Sequence, residues 1–303
     1  MNHSKYIILS LLLLLMMESC QDGKAPEQER IVTETKAIVT EQRIISLNGT
    51  VTELLYAVNY GDKIVGVDVT STYPEAAQSK TNLGHTRQLN TEAILALKPS
   101  LILVDEKGSQ SSAIATLENS GIQIGIVKIP ETLEGSLEAA GQLEKLLDVT
   151  FDTKALEEKI TTNKQALAQL LEEKTTRPKV LFIYARGAQT MMVAGTNTFA
   201  EKMIKVAGGE LAIEEIDGFQ PLTPEALLQS NPEVILMFNS GLESMAEEGA
   251  EKTALEQLLA TPGIAQTPAG KNKKVITMEG LYLSGFGPRA SAAALELAQA
   301  LHP

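Results

Sequence analysis

The chain has 303 residues and a formal net charge of −12 at pH 7. Because nucleic-acid binding depends on basic side chains that neutralise phosphates, this acidity argues against a nucleic-acid partner. The single cysteine excludes a disulfide within the chain, and the length favours two lobes over one core.

The N-terminal segment predicts an exported chain with a lipid anchor. The run IILSLLLLLMM at 7–17 is an apolar core of signal-peptide length. It is shorter than the about 20 apolar residues of a transmembrane helix. Cys20 lies where a bacterial lipoprotein signal places its acylated thiol, and secretion without acylation is the alternative. We therefore expect a signal peptide at 1–19, a lipid-anchored tether at 20–42 and an extracytoplasmic protein beyond it.

Short apolar strands alternate with helices in the first half of the chain. The segments RIISL at 43–47 and KIVGV at 63–67 predict strands, and TVTE at 50–53 begins a helix between them. A further strand is predicted at 122–127, followed by a helix from 133 to 147. This alternation indicates an α/β lobe with a largely parallel sheet.

A segment without Gly or Pro separates the two halves. Residues 150–175 carry leucine and isoleucine at helical spacing. We predict one long, rigid connecting helix within 149–177, ended by Pro178 because the residue before a proline disfavours the helical conformation. A stiff helical link limits closure of the lobes, and a second α/β lobe then begins with a strand at 179–184.

A twelve-residue pattern occurs twice, 133 positions apart. It reads EAILALKPSLIL at 92–103 and EALLQSNPEVIL at 225–236. Each copy predicts a short helix that stops at a proline and leads into a buried strand. The fold class is therefore α/β, with two similar lobes, 43–148 and 178–303, mainly parallel sheets and a ligand cleft between the lobes.

Several segments together resemble one protein family. They are RIISLNGTVTEL (43–54), GVDVTSTYPEAA (66–77), NLGHTRQLNTEAILALKP (82–99), MVAGTNT (192–198), PLTPEAL (221–227) and LYLSGFGPR (281–289). The chain resembles the substrate-binding component of a bacterial ABC importer, of the helical-backbone class that carries haem, cobalamin and ferric siderophores, and is most similar to the haemin-binding branch. The resemblance implies a monomer that is not an enzyme, carries haem as transported ligand, and delivers it to an ABC permease dimer with its ATPase.

The resemblance makes Tyr73 the expected axial ligand of the haem iron. In haemin-binding relatives the tyrosine of the STYP loop binds the metal, and phenolate and imidazole are both known ligands of ferric haem. His85 is the alternative imidazole, because His3 lies in the signal and His302 at the end of the chain. Without the resemblance, a loop tyrosine packed on Pro74 is the favoured explanation of Tyr73.

Five further side chains are expected to contact the haem or its propionates. Arg186 follows the strand at 179–184, where it would pair with a propionate or with the Tyr73 oxygen; a surface arginine is the alternative. His85 and Arg87 follow the tyrosine loop and are expected to border the cleft. Tyr282 and Arg289 flank a glycine-rich loop in the second lobe, which also suits a turn before a helix that begins near Pro288.

Glu92 and Glu225 open the two repeat copies. The resemblance implies that each docks into arginines of one permease subunit, and a two-fold symmetric permease needs two equivalent charges on its partner. The alternative is that both are first-turn carboxylates that stabilise the helix dipole, and the two roles are compatible.

Three other functions fit the sequence less well. An α/β enzyme is disfavoured because the chain lacks a GxSxG, P-loop, GxGxxG or HExxH motif. A zinc or manganese carrier needs several histidines and carboxylates together, and only His85 is internal. A cobalamin or ferric-siderophore carrier shares the fold; the absence of Trp and the few Phe and Tyr disfavour a siderophore.

Overall fold

The computed structural model describes residues 42–187, 190–246 and 253–303. The predicted signal peptide, Cys20 and nearly all of the tether lie outside these ranges. No helix within them combines the length and the apolar character that crossing a membrane requires.

The N-terminal lobe is built on a five-stranded parallel sheet. Its strands are β1 (Ile44–Ser46), β2 (Ile64–Val67), β3 (Thr81–Asn82), β4 (Leu101–Asp105) and β5 (Gln123–Val127), and its helices are α1 (Gly49–Ala57), α2 (Glu75–Gln78), α3 (Thr91–Ala96), α4 (Ser112–Asn119) and α5 (Gly135–Leu147). Short 3₁₀ turns lie at Gly61–Lys63, Thr86–Gln88 and Gly108–Gln110. The strand order is β3-β2-β1-β4-β5. Ile44 and Ile45 pack into hydrophobic clusters on opposite faces, which explains the continuous apolar runs in the sequence.

The connecting helix α6 spans Lys154–Glu172, about 28 Å at the usual rise per residue. It is shorter than the predicted 149–177. Asp148 ends α5 in the left-handed conformation, and the amide of Phe151 donates to Glu144 Oε1 at 2.7 Å, so the next residues form a loop.

The same helix belongs to both hydrophobic cores. Leu156 and Ile160 pack with the N-terminal core, whereas Leu167 packs with the C-terminal core. Each half of α6 is therefore fixed to a different lobe.

The C-terminal lobe repeats this layout with one change of direction. Its strands are β6 (Lys179–Ala185), β7 (Met191–Ala194), β8 (Glu210–Leu211), β9 (Phe219–Pro221), β10 (Val234–Phe238) and β11 (Val275–Met278). Its helices are α7 (Phe199–Val206), α8 (Pro224–Ser230), α9 (Asn239–Glu243), α10 (Ala254–Ala260), α11 (Pro268–Lys271), α12 (Gly280–Ser284) and α13 (Ala290–Leu301), with a 3₁₀ turn at Ile264–Gln266. The strand order is β11-β10-β6-β7-β9, which matches the order of the first sheet when it is read from the β9 end. Strand β7 differs because it is antiparallel to β6 and to β9. The prediction of two similar, mainly parallel α/β lobes is confirmed.

The two repeat copies are equivalent in structure. Strands β4 and β10 begin and end at positions that differ by the same 133 residues. The side chains of Asn90 and Thr223 cap α3 and α8 by accepting from the third amide of each helix. Lys98 and Asn231, before the two prolines, both adopt left-handed conformations with φ of 48° and 43°.

Candidate functional site

The loop that carries Tyr73 follows β2 and is held by a buried carboxylate. Asp68 accepts hydrogen bonds from Thr70 Oγ1 at 2.7 Å and from Ser71 Oγ at 2.9 Å. Burial raises the pKa of Asp68, while these two hydrogen bonds and the nearby His85 act in the opposite direction. The hydroxyl pair fixes both oxygens of Asp68 and so shapes the turn that leads to Tyr73.

Helix α1 also contacts the loop that carries Tyr73. The Gly49 amide donates to Thr70 Oγ1 at 2.9 Å, and a Cβ at Gly49 would lie 2.2 Å from the Thr70 carbonyl oxygen. Thr52 Oγ1 lies 2.8 Å from Ser71 Oγ and donates to Ser46 Oγ at 2.8 Å. The absence of a side chain at Gly49 therefore allows the loop to rest on the start of α1.

Tyr73 itself remains accessible, with 44% of its surface exposed. Its ring lies under the Arg289 guanidinium, whose carbon is 3.7 Å from the ring centroid. Within the described ranges, its hydroxyl forms no hydrogen bond. The phenol oxygen is thus free to bind a ligand while the ring is held from the other lobe.

Arg289 joins the two lobes through Glu53. Its Nε and Nη2 donate to the two carboxylate oxygens of Glu53 at 2.8 Å and 2.9 Å. The Glu53 side chain is only 4% exposed, and burial raises its pKa although the hydrogen bonds and charge of Arg289 lower it. Glu279, 3.6 Å from Nη2, also accepts from Thr72 Oγ1 at 3.2 Å. Arg289 is thus bound to the N-terminal lobe, and its predicted propionate contact stays a prediction.

Tyr282 is a second tyrosine that packs on Arg289. The guanidinium carbon lies 4.9 Å from its ring centroid. Burial, followed by the charge of Glu296, raises the pKa of Tyr282 to about 12. Tyr282 therefore packs as a neutral phenol beside Glu296, and the predicted haem contact of this residue stays untested. The turn that follows Tyr282 contacts the N-terminal lobe, because Thr50 Oγ1 donates to the Gly285 carbonyl at 2.8 Å.

His85 and Arg87 lie apart from this group. They line a cavity of about 510 Å³ in the N-terminal lobe, together with Asp68, Asp105 and Lys107. His85 Nδ1 accepts the Arg87 amide at 3.2 Å, so this nitrogen is engaged at the start of a 3₁₀ turn. The cavity opens at the carboxyl ends of β2 and β4, the edge at which parallel sheets bind ligands.

A second cavity of about 330 Å³ lies between the lobes. Asn48, Thr50 and Lys107 line it from the N-terminal lobe, and Leu281 and Ser284 line it from α12. The predicted cleft is therefore present, bordered by mostly polar side chains of the N-terminal lobe on one side and by α12 on the other.

Arg186 is held within its own lobe. It follows β6, is exposed, and its Nε donates to the Tyr184 hydroxyl at 2.7 Å. The guanidinium carbon lies 5.5 Å from the Tyr184 ring centroid. The structure thus gives Arg186 a partner that the sequence analysis did not consider, and its pairing with a propionate or with Tyr73 stays a prediction.

An aromatic cluster that the sequence did not predict lies beside Arg186. Four of the six phenylalanines meet there with Tyr184, and ring centroids lie 5.1 to 6.3 Å apart; the members are Phe182, Tyr184, Phe199, Phe219 and Phe238. All except Phe182 are partly exposed, and Tyr184 and Phe238 lie at the carboxyl ends of β6 and β10. The alternation of Phe182 and Tyr184 on β6 was the available signal.

Glu92 and Glu225 lie in the first turns of α3 and α8, and both are exposed. Since Asn90 and Thr223 already cap these helices, the carboxylates are left at the surface. Their equivalence in the two lobes is the arrangement that a two-fold symmetric partner requires.

Comparison with known proteins places this arrangement in a family. The periplasmic binding protein family model matches residues 44–281. The periplasmic heme-binding protein RhuT from Roseiflexus sp. RS-1, in apo form, superposes with a TM-score of 0.79 at 34% identity, covering 86% of this chain and 98% of RhuT.

Two curated relatives extend over similar lengths. The uncharacterized ABC transporter substrate-binding lipoprotein YvrC of Bacillus subtilis is 25% identical over 314 residues, 97% of this chain and 95% of YvrC. The vitamin B12-binding protein of Photorhabdus laumondii is 28% identical over 262 residues, covering 86% and 88% of the two chains. The protein belongs to the periplasmic binding protein family and is the substrate-binding component of an ABC transporter, not an enzyme.

Proposed function

We propose that the protein binds ferric haem between its lobes, with Tyr73 as axial ligand, and delivers it to an ABC permease. The observation that carries this proposal is that Tyr73 is exposed, on a loop held by hydrogen bonds, while its ring stacks on the Arg289 guanidinium. A phenol must lose its proton to bind ferric iron, and an adjacent positive charge favours the phenolate.

The C-terminal lobe offers a surface suited to a flat macrocycle. Tyr184, Phe199, Phe219 and Phe238 provide partly exposed aromatic area at the end of the sheet. Arg186 adds a cation at its border, which suits a porphyrin propionate. An apolar surface with one convergent charge is the usual character of a small-molecule site.

Cobalamin is the second candidate, favoured by the vitamin B12-binding relative. Haem is favoured by the greater identity to RhuT. It is also favoured by the exposed Tyr73, because a phenol oxygen can bind a ferric iron that has an open coordination position. A ferric siderophore remains the third ligand in the same class.

Absorption titration of the purified protein with haemin, cobalamin and a ferric siderophore tests the proposal. We expect haemin to give high-spin ferric phenolate bands that Tyr73→Phe abolishes. Tyr60→Phe is the matched control, since Tyr60 packs on Phe151 in the N-terminal core, and it should leave the bands unchanged. Intact phenolate bands in Tyr73→Phe, or saturable binding of cobalamin without haemin binding, would overturn the assignment.

We further propose that the protein acts as an extracytoplasmic monomer, anchored through Cys20, and docks on the permease through Glu92 and Glu225. The exposure of both carboxylates at equivalent positions supports this role. Charge reversal of both should abolish haem uptake and leave haemin affinity unchanged. Normal uptake by that variant would contradict docking through these residues.

A further inference from the structure

Each proposed docking glutamate has an exposed leucine beside it. Leu95 is 45% exposed and Leu228 is 55% exposed. They follow Glu92 and Glu225 by three residues, a spacing that places both side chains on one face of a helix. We name these pairs the Glu92–Leu95 patch and the Glu225–Leu228 patch.

The two patches have the same local structure. In each copy the glutamate and the leucine are exposed, and the residue immediately before the leucine, Ile94 or Leu227, is fully buried. The side-chain caps and the left-handed residues before the prolines also match. The leucines are therefore presented in equivalent orientations on the two lobes.

Only some exposed positions carry the same residue in both copies of the repeat. Ala96 corresponds to Gln229, Lys98 to Asn231 and Ser100 to Glu233, so these surface residues differ between the copies. The glutamate and the leucine are identical in both. Helix stability explains an acid in the first turn, but the helix propensity of leucine is matched by Lys, Gln and Glu, which also suit water, so it does not account for the same apolar residue at both sites.

Exposed large apolar side chains are few in the part of the chain that the structure describes. They are Val69, Tyr73, Leu95, Ile126 and Leu228. Single exposed apolar residues need no explanation, but two of these five occupy equivalent positions of the repeat. The pairing points to a partner that contacts both lobes in the same way.

We propose that Leu95 and Leu228 are apolar anchors of the permease docking surface. The partner is a two-fold symmetric permease dimer, in which each subunit presents a basic side chain next to an apolar pocket. The acid then meets the base, and the leucine fills the pocket. This inference rests on the docking role proposed for Glu92 and Glu225.

The two parts of each patch contribute differently to binding. Attraction between exposed charges weakens as salt screens it, whereas burial of a leucine does not depend on such screening. The glutamates should therefore set the salt dependence of docking, and the leucines a salt-independent part of its affinity.

Binding of the full chain to the purified permease–ATPase complex, at low and high salt, tests the inference. Leu95→Ala combined with Leu228→Ala should raise the Kd about 100-fold, roughly tenfold for each leucine, at both salt concentrations. Alanine at both Glu92 and Glu225 should raise the Kd mainly at low salt. Ile126→Ala is the matched control, because Ile126 is 51% exposed on edge strand β5 outside the repeat, and it should leave the Kd unchanged.

Each contrary outcome bears on a different proposal. An unchanged Kd in the double leucine variant, with weaker docking of the double glutamate variant, would overturn the leucine anchors alone. Unchanged docking in both double variants would overturn the leucines and the docking role of the glutamates together. Failure of haemin to bind, with docking affected as expected, would refute the haem assignment and leave this inference standing.

Discussion

Arg289 and Glu53 form a bidentate ion pair between the two lobes, with nitrogen–oxygen distances of 2.8 Å and 2.9 Å. The same guanidinium stacks on Tyr73. One cation thus satisfies a buried carboxylate and holds the ring of the proposed iron ligand. Arg289 therefore links the contact between the lobes to the position of the Tyr73 ring, and through it to the proposed haem binding.

Arg289→Leu should destabilise the protein and weaken haemin binding. The substitution leaves the Glu53 carboxylate buried without its partner, and the expected loss in free energy of unfolding is about 2–3 kcal/mol. This is below the cost for a fully buried pair, because the Arg289 side chain is 25% exposed. Urea unfolding of the ligand-free protein measures the loss.

Lys205→Ala is the control for that substitution. Lys205 is exposed and pairs with Glu201 one turn earlier in the same helix, so loss of this pair should cost about 0.5 kcal/mol or less. Adding Glu53→Gln to Arg289→Leu should restore part of the stability by removing the unpaired charge. Equal losses for Arg289→Leu and Lys205→Ala would contradict a special role for the pair between the lobes.

Glu53→Gln should change how stability depends on pH. Burial raises the pKa of Glu53 above its ordinary 4.5, so the folded state holds this proton more tightly than the unfolded chain. The resulting stabilisation is complete below the unfolded pKa and is lost as pH rises through the folded pKa. The free energy of unfolding of the wild type, relative to Glu53→Gln, should therefore fall as pH rises from about 4.5, the ordinary pKa, towards neutrality.

Urea titrations of the two proteins across this range measure the difference. Asp68 also has a pKa raised by burial, but it is present in both proteins and cancels. A difference that stays constant or increases with pH would show that the charge of Arg289 outweighs the burial of Glu53.

Gly49→Ala should displace the tyrosine loop. The new Cβ would lie 2.2 Å from the Thr70 carbonyl oxygen, which forces a shift of backbone rather than of a flexible side chain. We expect a loss of about 1–3 kcal/mol in unfolding free energy and a weaker, broadened haemin spectrum. Gly141→Ala is the control, because a Cβ there meets nothing within 4 Å and alanine favours the helix by about 1 kcal/mol. Undiminished haemin affinity in Gly49→Ala would show that the contact with α1 does not position Tyr73.

Local patterns in the sequence predicted the framework well. The strands were visible because residues such as Ile44 and Ile45 are buried on both faces of a sheet, and such burial leaves a continuous apolar run. The repeat predicted the two lobes because its capping residues and its prolines act within a few positions. The start of α6 was misplaced because Glu144, seven residues back, captures the Phe151 amide.

The contacts around the site depend on residues that are distant in sequence. Glu53 and Arg289 are separated by 236 positions, and no spacing rule connects them. The aromatic cluster likewise combines side chains from β6, α7, β9 and β10. These residues are far apart in the sequence, so the low aromatic content of the chain gave no sign that they meet in one place. Tyr73 and Arg289 were each predictable from the sequence as site residues, but only the fold shows that they stack on each other.

Tyr282→Phe should leave the haemin spectrum unchanged, in contrast to Tyr73→Phe. The pKa of Tyr282 is raised to about 12, first by burial and then by the charge of Glu296, so its hydroxyl stays protonated at any pH used for binding. A neutral phenol is a poor ligand for ferric iron, whereas the ring of Tyr282 still packs on Arg289 after the substitution. Absorption spectra of the haemin complexes from about pH 6 to about pH 10 measure the effect. Loss of the phenolate bands in Tyr282→Phe would transfer the role of axial ligand from Tyr73 to the second lobe, and it would require the Glu296 side chain to turn away from the hydroxyl when haem binds.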